Sequence, residues 1–367
     1  HIALPETNRK VILIAPLDWG LGHATRCIPL IRACLSLGHK VIMASSGRSL
    51  QLLKKEFPEL TAIEIPSYDI YYQKKGSFII KMIAQLGKVF RGIKREHLLT
   101  AEIVKQYGVN LIIADNRYGI YHKDVFSVII THQMMVKVPS FKIAEPFVYL
   151  WLQWQHKKFD TVWIPDTVAE NNISGDLSHK YPKPKHAKYI GILTRFRKPE
   201  QEVTQTNDIL AIVSGPEPQR SIFEEMIISQ AKSIQQQVII VRGISEVDTD
   251  EKIADNIRVI SHLPGEQLFQ LILQSATIIS RGGYSTLMDL ALLNKKCIFV
   301  PTPGQTEQEY LVKALHKNNL VFGTTQDKFN LQEALNGVAN KSTFSIPSDV
   351  NAFIPYLNEA ISFSEKK

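Results

Sequence analysis

Residues 11–27 read VILIAPLDWGLGHATRC, an apolar run that breaks into DWGLG and continues at once into HATRC. A run apolar throughout its length reads as a strand buried on both faces, as in a parallel sheet covered by helices. Gly20 and Gly22 then turn the chain, and His23 and Arg26 fall in the first turn of a helix. At the C-terminal end of a parallel strand, such a turn aims backbone N–H groups and a helix N-terminus into a ligand crevice. The stretch predicts a strand–turn–helix unit that attracts an anion. A dinucleotide-binding turn is disfavoured, because Thr25 stands where the third glycine belongs and the next strand ends Ala44-Ser45-Ser46, with no acid for a ribose.

The same rhythm repeats outward. Apolar runs near 10–15, 40–44, 61–65, 110–114, 126–131 and 161–164 predict six strands with helix-length segments between most of them. It restarts at 208–213 and continues through 237–241, 257–260, 276–280 and 296–300. Alternation of this kind predicts the α/β class: two doubly wound, mostly parallel sheets facing a cleft. The domain division expected is 1–193, a polar linker at 194–207, 208–345, and a C-terminal helix or tail at 346–367.

Composition bounds the function. The 367 residues are 44% apolar and 21% charged, enough for two real cores. Three scattered cysteines, Cys27, Cys34 and Cys297, form no C-x-x-C pair, so neither a disulfide framework nor a zinc site is expected. With no apolar run of membrane-span length and no signal-like core in HIALPETNRK, the chain reads as cytoplasmic. Residues 1–200 hold 29 Lys and Arg against 16 Asp and Glu, a net +13, whereas the rest hold 14 against 19, a net −5. A basic half beside an acidic one suggests that the first meets something anionic.

The second half carries the more specific motif, SRGGYSTLMDLALLNKKCIFVPTPGQTEQEY. Arg281, Gly282 and Gly283 end a strand, Ser285 and Thr286 open a helix, and Asp289 lies about one turn further on. Glycines permit close approach of a phosphate, and an acid one turn along suits a ribose. The loop VSGPEP, with Ser214 and Gly215, repeats the arrangement after the first strand of this half. Gln305, Thr306, Glu307, Gln308 and Glu309 offer amides and carboxylates at another helix start, chemistry that reads sugar hydroxyls. In the first half, Asp115, Asn116, Arg117 and Tyr118 end a strand beside His132 and Gln133, which predicts contacts to a second substrate.

These residues resemble the family 28 glycosyltransferases of the GT-B fold, the MurG-like type. Gly20-Leu21-Gly22-His23 is similar to that family's N-terminal glycine loop, and Arg281 to Asp289 to its R-S-G-A-x-T-x-x-E nucleotide site. Phe299-Val300-Pro301 with Gln308 and Glu309 resembles its F-V-P stretch and Gln-Gln pair, and Thr131-His132-Gln133 its acceptor loop. The resemblance implies two Rossmann-like lobes and a nucleotide-sugar donor, a UDP-sugar, in the second. Ser214, Gly215, Ser285 and Thr286 would meet the phosphates, the Leu263 main chain the base, Asp289 the ribose, and Gln308 and Glu309 the sugar and phosphates. Gly20, Gly22, Asn116, Arg117, Tyr118, His132 and Gln133 would face the acceptor. The chain departs from the family at Asp289, a glutamate there, at Ser214-Gly215-Pro216-Glu217-Pro218, and at His132-Gln133-Met134-Met135. A peptidoglycan precursor is therefore not the acceptor expected.

The mechanism expected is inverting transfer, with His23 taking the acceptor's proton and Arg281 with helix N-termini stabilising the leaving diphosphate. No cofactor or metal is expected, the lone D-x-D at Asp248–Asp250 reading as a solvated loop. Segment 74–95 places Ile79, Met82, Ile83, Leu86, Val89, Phe90 and Ile93 on one helical face and Lys81, Lys88, Arg91, Lys94 and Arg95 opposite. With the tryptophans of FVYLWLQWQHKK (147–158), it suggests a peripheral contact with an anionic membrane and a lipid-linked or cell-envelope acceptor. A nucleotide-sugar hydrolase is the alternative, since Gly20, Gly22, His23, Arg26 and Cys27 also match the G-x-G-H-x-x-R-C of that related fold. A nucleic-acid-binding module is disfavoured, because the positive charges lack interleaved aromatics.

Overall fold

The computed structural model describes residues 9–67, 78–137, 143, 145–197, 199, 203–244 and 247–367, and only the backbone of 78–86. The first lobe is one parallel sheet of β1 (Val11–Pro16), β2 (Lys40–Ser45), β3 (Thr61–Glu64), β4 (Leu111–Asp115), β5 (Phe126–Ile130), β6 (Thr161–Ile164) and β7 (Ala187–Tyr189), ordered β3-β2-β1-β4-β5-β6-β7. Its helices are α1 (Gly22–Ser36), α2 (Gly47–Glu56), α3 (Phe78–Tyr107), α4 (Glu145–His156) and α5 (Asp176–His179). The second sheet comprises β8 (Asn207–Ile212), β9 (Val238–Val241), β10 (Asp250–Ala254), β11 (Ile257–Ile260), β12 (Ser275–Ser280), β13 (Lys296–Phe299) and β14 (Phe322–Gly323). They run β10-β11-β9-β8-β12-β13-β14, parallel except for β10. Around them lie α6 (Gln219–Ala231), α7 (Gly265–Gln274), α8 (Tyr284–Leu290), α9 (Thr306–Lys317), α10 (Leu331–Ala339) and α11 (Ile354–Phe363).

In both lobes the strand order reverses beside the first strand, β1 or β8, and the crevice opens there. β1 shows why its run is unbroken: Ile12 and Ile14 pack with Ala24, Ile28 and Ile31 of α1, while Leu13 and Ala15 pack on the opposite face with Ile103 of α3. Period-two alternation thus feeds two cores rather than one.

All eleven expected strands form. β7 and β14 are too short to announce themselves, and β10 is polar and exposed apart from half-buried Ala254. The Asp248–Asp250 stretch is accordingly not simply a loop. Asp250 opens an antiparallel edge strand and accepts from Arg258 Nε at 2.7 Å and Nη2 at 2.6 Å. Beyond the second sheet, α11 returns to the first lobe, where Glu359 takes the Lys188 ammonium at 2.6–2.7 Å and Phe363 lies 5.6 Å from Phe126.

One element of this core carries a titratable cost. His156, the last residue of α4, is fully buried, and neither ring nitrogen has a partner. Burial, with a smaller contribution from His186, lowers its pKa from 6.5 to about 3. The folded chain keeps this ring neutral while the unfolded chain protonates it below pH 6.5, so stability is full above 6.5 and falls as pH drops toward 3. His156→Leu should flatten the pH dependence of the urea midpoint between 6.5 and 4, where the slope is about 1.4 kcal/mol per pH unit.

Candidate active site

The turn at Gly20 requires glycine, with φ of 77°. α1 begins at Gly22 with no side-chain cap on its first turn. The second glycine answers to packing across the lobes: a Cβ on Gly22 would stand 2.5 Å from Ser285 Oγ at the start of α8. The two motifs that the sequence singles out, with Gly22 and Ser285 lying 263 positions apart, therefore meet in one cleft.

Behind that meeting point lies a buried polar network. Asp115, the last residue of β4, is fully buried and accepts both the Nε and Nη2 hydrogens of Arg26, itself almost wholly buried in α1. Burial pushes the Asp115 carboxyl up, but Arg26 and then His23 outweigh it and hold the group well below the usual carboxylate range. His23 Nδ1 lies 3.1 Å from Asp115 Oδ1 and 2.9 Å from Arg26 Nη2, and among the described residues its Nε2 bonds to no protein group. Burial lowers the His23 pKa below 6.5, with Asp115 opposing and Arg26 adding to the fall, so the ring is a neutral imidazole near pH 7.

His132 continues the network across the cleft. Its Nδ1 faces Arg26 Nη1 at 3.3 Å, and its Nε2 faces Glu307 Oε1 at 3.1 Å. Arginine can only donate and a carboxylate can only accept, so the ring is neutral with its hydrogen on Nε2. Gln133 Nε2 donates to the other Glu307 oxygen. The His132 ring stacks on Tyr284 at 3.7 Å, and Tyr284 OH donates to Pro165 O at 2.9 Å. Burial raises the Glu307 carboxyl, but His132, then Gln133 and His23, bring it down to about 2.

Several expected site residues do other work. Arg117 is fully buried and donates to Pro16 O, Pro66 O, Glu96 Oε1, Asp18 Oδ1 and Ser46 Oγ at 2.6–3.3 Å, so it ties loops together and cannot meet an acceptor. Tyr118 packs beneath α4, 5.8 Å from Trp151 and 6.1 Å from His156. Arg281 lies over Phe223 and donates to Val300 O, Pro301 O, Gln219 O and Gln326 Oε1 at 2.8–3.3 Å, which leaves its charge turned into the second lobe rather than onto a leaving group. Burial lowers its pKa from 12.5 to about 10. The Asp289 carboxylate turns to the linker, accepting from Thr194 Oγ1 at 2.9 Å and Arg195 Nε at 3.1 Å, and burial raises its pKa.

The remaining expected residues stand on turns and helix starts of the two lobes. Gln308 Oε1 accepts from Thr302 N at 2.9 Å and Glu309 Oε1 from Gly304 N at 3.1 Å, so both hold the turn before α9 that exposed Gln305 caps. Gly282 abuts Val312 of α9, Gly283 opens α8, and Thr286 is half-buried there. Ser214 and Gly215 lie in an exposed loop, with Gly215 at φ 120°, and half-buried Leu263 follows β11. Asn116 takes a left-handed conformation at φ 53°, and its buried Oδ1 has no partner. Asp115 and Arg26 were not expected as a pair, since the only sequence signal was an acid at a strand end and an arginine one turn into a helix, 89 positions apart. Arg117→Ala, which removes the buried cation paired with Glu96, should cost about 3–5 kcal/mol in urea unfolding, a loss that a surface acceptor contact would not produce.

Comparison with known proteins follows the same division. Residues 211–355 match the Glycosyltransferase family 28 C-terminal domain. An uncharacterized glycosyltransferase of Methanosarcina mazei is 23% identical over 323 residues, covering 81% of each chain, and one of Methanosarcina acetivorans is 22% identical over 318 residues, again covering 81% of each. Among solved structures, the calicheamicin glycosyltransferase superposes with a TM-score of 0.65 at 13% identity, covering 97% of this chain and 95% of that one. A spinosyn rhamnosyltransferase complexed with thymidine diphosphate gives 0.60 at 12%, covering 97% and 96%. MurG of Acinetobacter baumannii gives 0.55 at 12%, covering 98% and 100%. The match to the family 28 domain falls within the second lobe, and the chain is a glycosyltransferase of the GT-B fold.

Proposed function

We propose that the protein moves a sugar from a nucleoside diphosphate donor, a UDP-sugar by the family resemblance, to an acceptor hydroxyl with inversion, using His23 as general base. The observation that carries this reading is His23 Nδ1 within 3.1 Å of an ionised Asp115 at the point where Gly22 abuts Ser285. With its hydrogen on Nδ1 donated to Asp115, the ring presents an Nε2 lone pair. The acceptor oxygen bonds to the anomeric carbon, its proton passes to Nε2, and the bond to the diphosphate breaks, leaving the nucleoside diphosphate. One displacement of this kind inverts the anomeric centre. Main-chain N–H groups of the Gly282-Gly283 turn and the uncapped first turn of α1 are the electrostatic partners for the diphosphate, since Arg281 is committed elsewhere. Metal independence accords with the position of the D-x-D on the outermost strand of the second sheet, where Asp250 is paired with Arg258.

The acceptor class is read from the surface. On α4, Phe147, Leu150 and Trp154 are 71%, 62% and 53% exposed at i, i+3 and i+7, so this helix turns an apolar stripe outward. Phe90 of α3 is also exposed and lies 6.3 Å from Trp151, and Lys88, Arg91, Lys94 and Arg95 of α3 and Lys157 just after α4 are exposed as well. Of the segment 74–95, residues 74–77 and the side chains of 78–86 lie outside the described residues. Exposed apolar side chains and exposed cations on the same two elements fit the headgroup level of an anionic bilayer, which favours a lipid-linked acceptor. Among the described residues, no helix is long and apolar enough to cross a membrane.

Turnover is assayed with UDP- and TDP-sugars and a lipid-phosphate acceptor panel. His23→Ala should lower kcat by about 10²–10⁴ with calorimetric donor affinity nearly unchanged, and EDTA should leave turnover intact. Full activity in that variant refutes the base; release of free sugar at the same rate without acceptor would make the enzyme a hydrolase. Cosedimentation with phosphatidylglycerol vesicles should be lost in Phe147→Ser/Trp154→Ser and weakened by salt, whereas equal binding to neutral phosphatidylcholine vesicles would overturn the anionic-membrane reading.

A further inference from the structure

We infer that Glu307 is a positioning residue that sets the proton affinity of His23 from across the cleft, so that the meeting of the two lobes completes the base. The inference rests on the proposed role of His23, and it names a carboxylate of the donor lobe in a hydrogen-bond chain whose other charged members belong to the acceptor lobe.

Four observations carry it. Glu307 lies in the first turn of α9, yet its carboxylate is given to His132 and Gln133, both of the first lobe. His132 is in turn fixed by Arg26, Arg26 by Asp115, and Asp115 by His23, so the contacts form one chain from Glu307 to the base. The charged and titratable groups that act on His23 are Asp115 of β4, Arg26 of α1, His132 after β5 and Glu307 of α9. With both imidazoles neutral, the charged members are Asp115, Glu307 and Arg26, a net of −1 when Glu307 is in place and zero without it.

That count decides the effect. Arg26 and Asp115 alone cancel, leaving burial and the positive end of α1 to resist an imidazolium at position 23. Glu307 adds the one uncompensated negative charge, and a proton on His23 is what neutralises it. Carboxylate and imidazolium share a half-buried site where screening by water is weak, so the charge is felt at a distance that salt would erase at the surface. Withdrawal of α9 removes the charge and weakens the base, which couples proton transfer to a closed cleft and protects the donor when the lobes stand apart.

The test needs no substrate. In full-length protein labelled with ¹³C-histidine, the His23 Cε1–H signal is identified by its loss in His23→Gln and followed against pH. Glu307→Gln keeps an oxygen acceptor for His132 Nε2–H but removes the charge. It should lower the His23 midpoint by about one pH unit, a tenfold fall in proton affinity. Glu309→Gln, an exposed carboxylate two residues on, should leave the midpoint in place. An unchanged midpoint in Glu307→Gln, or an equal fall in Glu309→Gln, overturns the inference. In turnover, the acid limb of the rate profile should move to lower pH in Glu307→Gln, and the same substitution should have no further effect in a His23→Ala background. Full activity of His23→Ala would instead sink the base itself, a separate outcome from the titration.

Discussion

The ion pair between Arg26 and Asp115 is the contact on which the rest of the site depends. Taking two charges out of water costs several kcal/mol each, and only bidentate geometry with further hydrogen bonds offsets such a cost. Here the geometry is bidentate, and Nη1 of Arg26 reaches on to His132. The pair cannot be simplified without leaving a buried charge alone. It also does what an apolar pair of the same volume would not: it fixes the tautomer of one imidazole and presents a carboxylate to the other.

The two lobes are joined by polar contacts of the same kind. Glu307 enters between His132 and Gln133, Tyr284 OH reaches Pro165 O, and Tyr310 OH accepts from Asp176 N at 2.6 Å. Asp289 grips Thr194 and Arg195 at the linker, and Lys188 pairs with Glu359 of the returning C-terminal helix. These hydrogen bonds stand beside a buried apolar cluster that runs through both lobes, and unlike it each can be exchanged for a bond with water at little net cost.

The arginines show how a motif and a role come apart. Arg281 stands in a glycine-rich turn, where the sequence suggests a phosphate ligand, yet its guanidinium satisfies main-chain carbonyls of the 300–301 turn and the start of α6. Arg117 does the same for the loops after β1 and β3. Both positions need a planar group with several fixed donors, which explains arginine there without any ligand. In the proposed reaction the diphosphate would instead meet backbone N–H groups of the turns at Gly20, Gly22, Gly282 and Gly283.

What could be read from the chain alone was the set of features that local physics dictates. Unbroken apolar runs can only be strands buried on both faces, their spacing leaves room for crossover helices, and glycine pairs at strand ends mark where the backbone must turn or be approached closely. That was enough for two α/β lobes, the cleft between them, and His23, Gly22, His132 and Gln133 beside it. What it could not contain was direction and partnership. A side chain's heading depends on the packing of residues far away in sequence, so the chain does not say that Arg117 and Arg281 turn inward, that Asp289 faces the linker, or that a strand-end aspartate 89 positions from Arg26 becomes its counter-ion. Still less does it place Glu307, 175 positions from His132, in the same network, because buried charges are matched only when the whole fold brings them together.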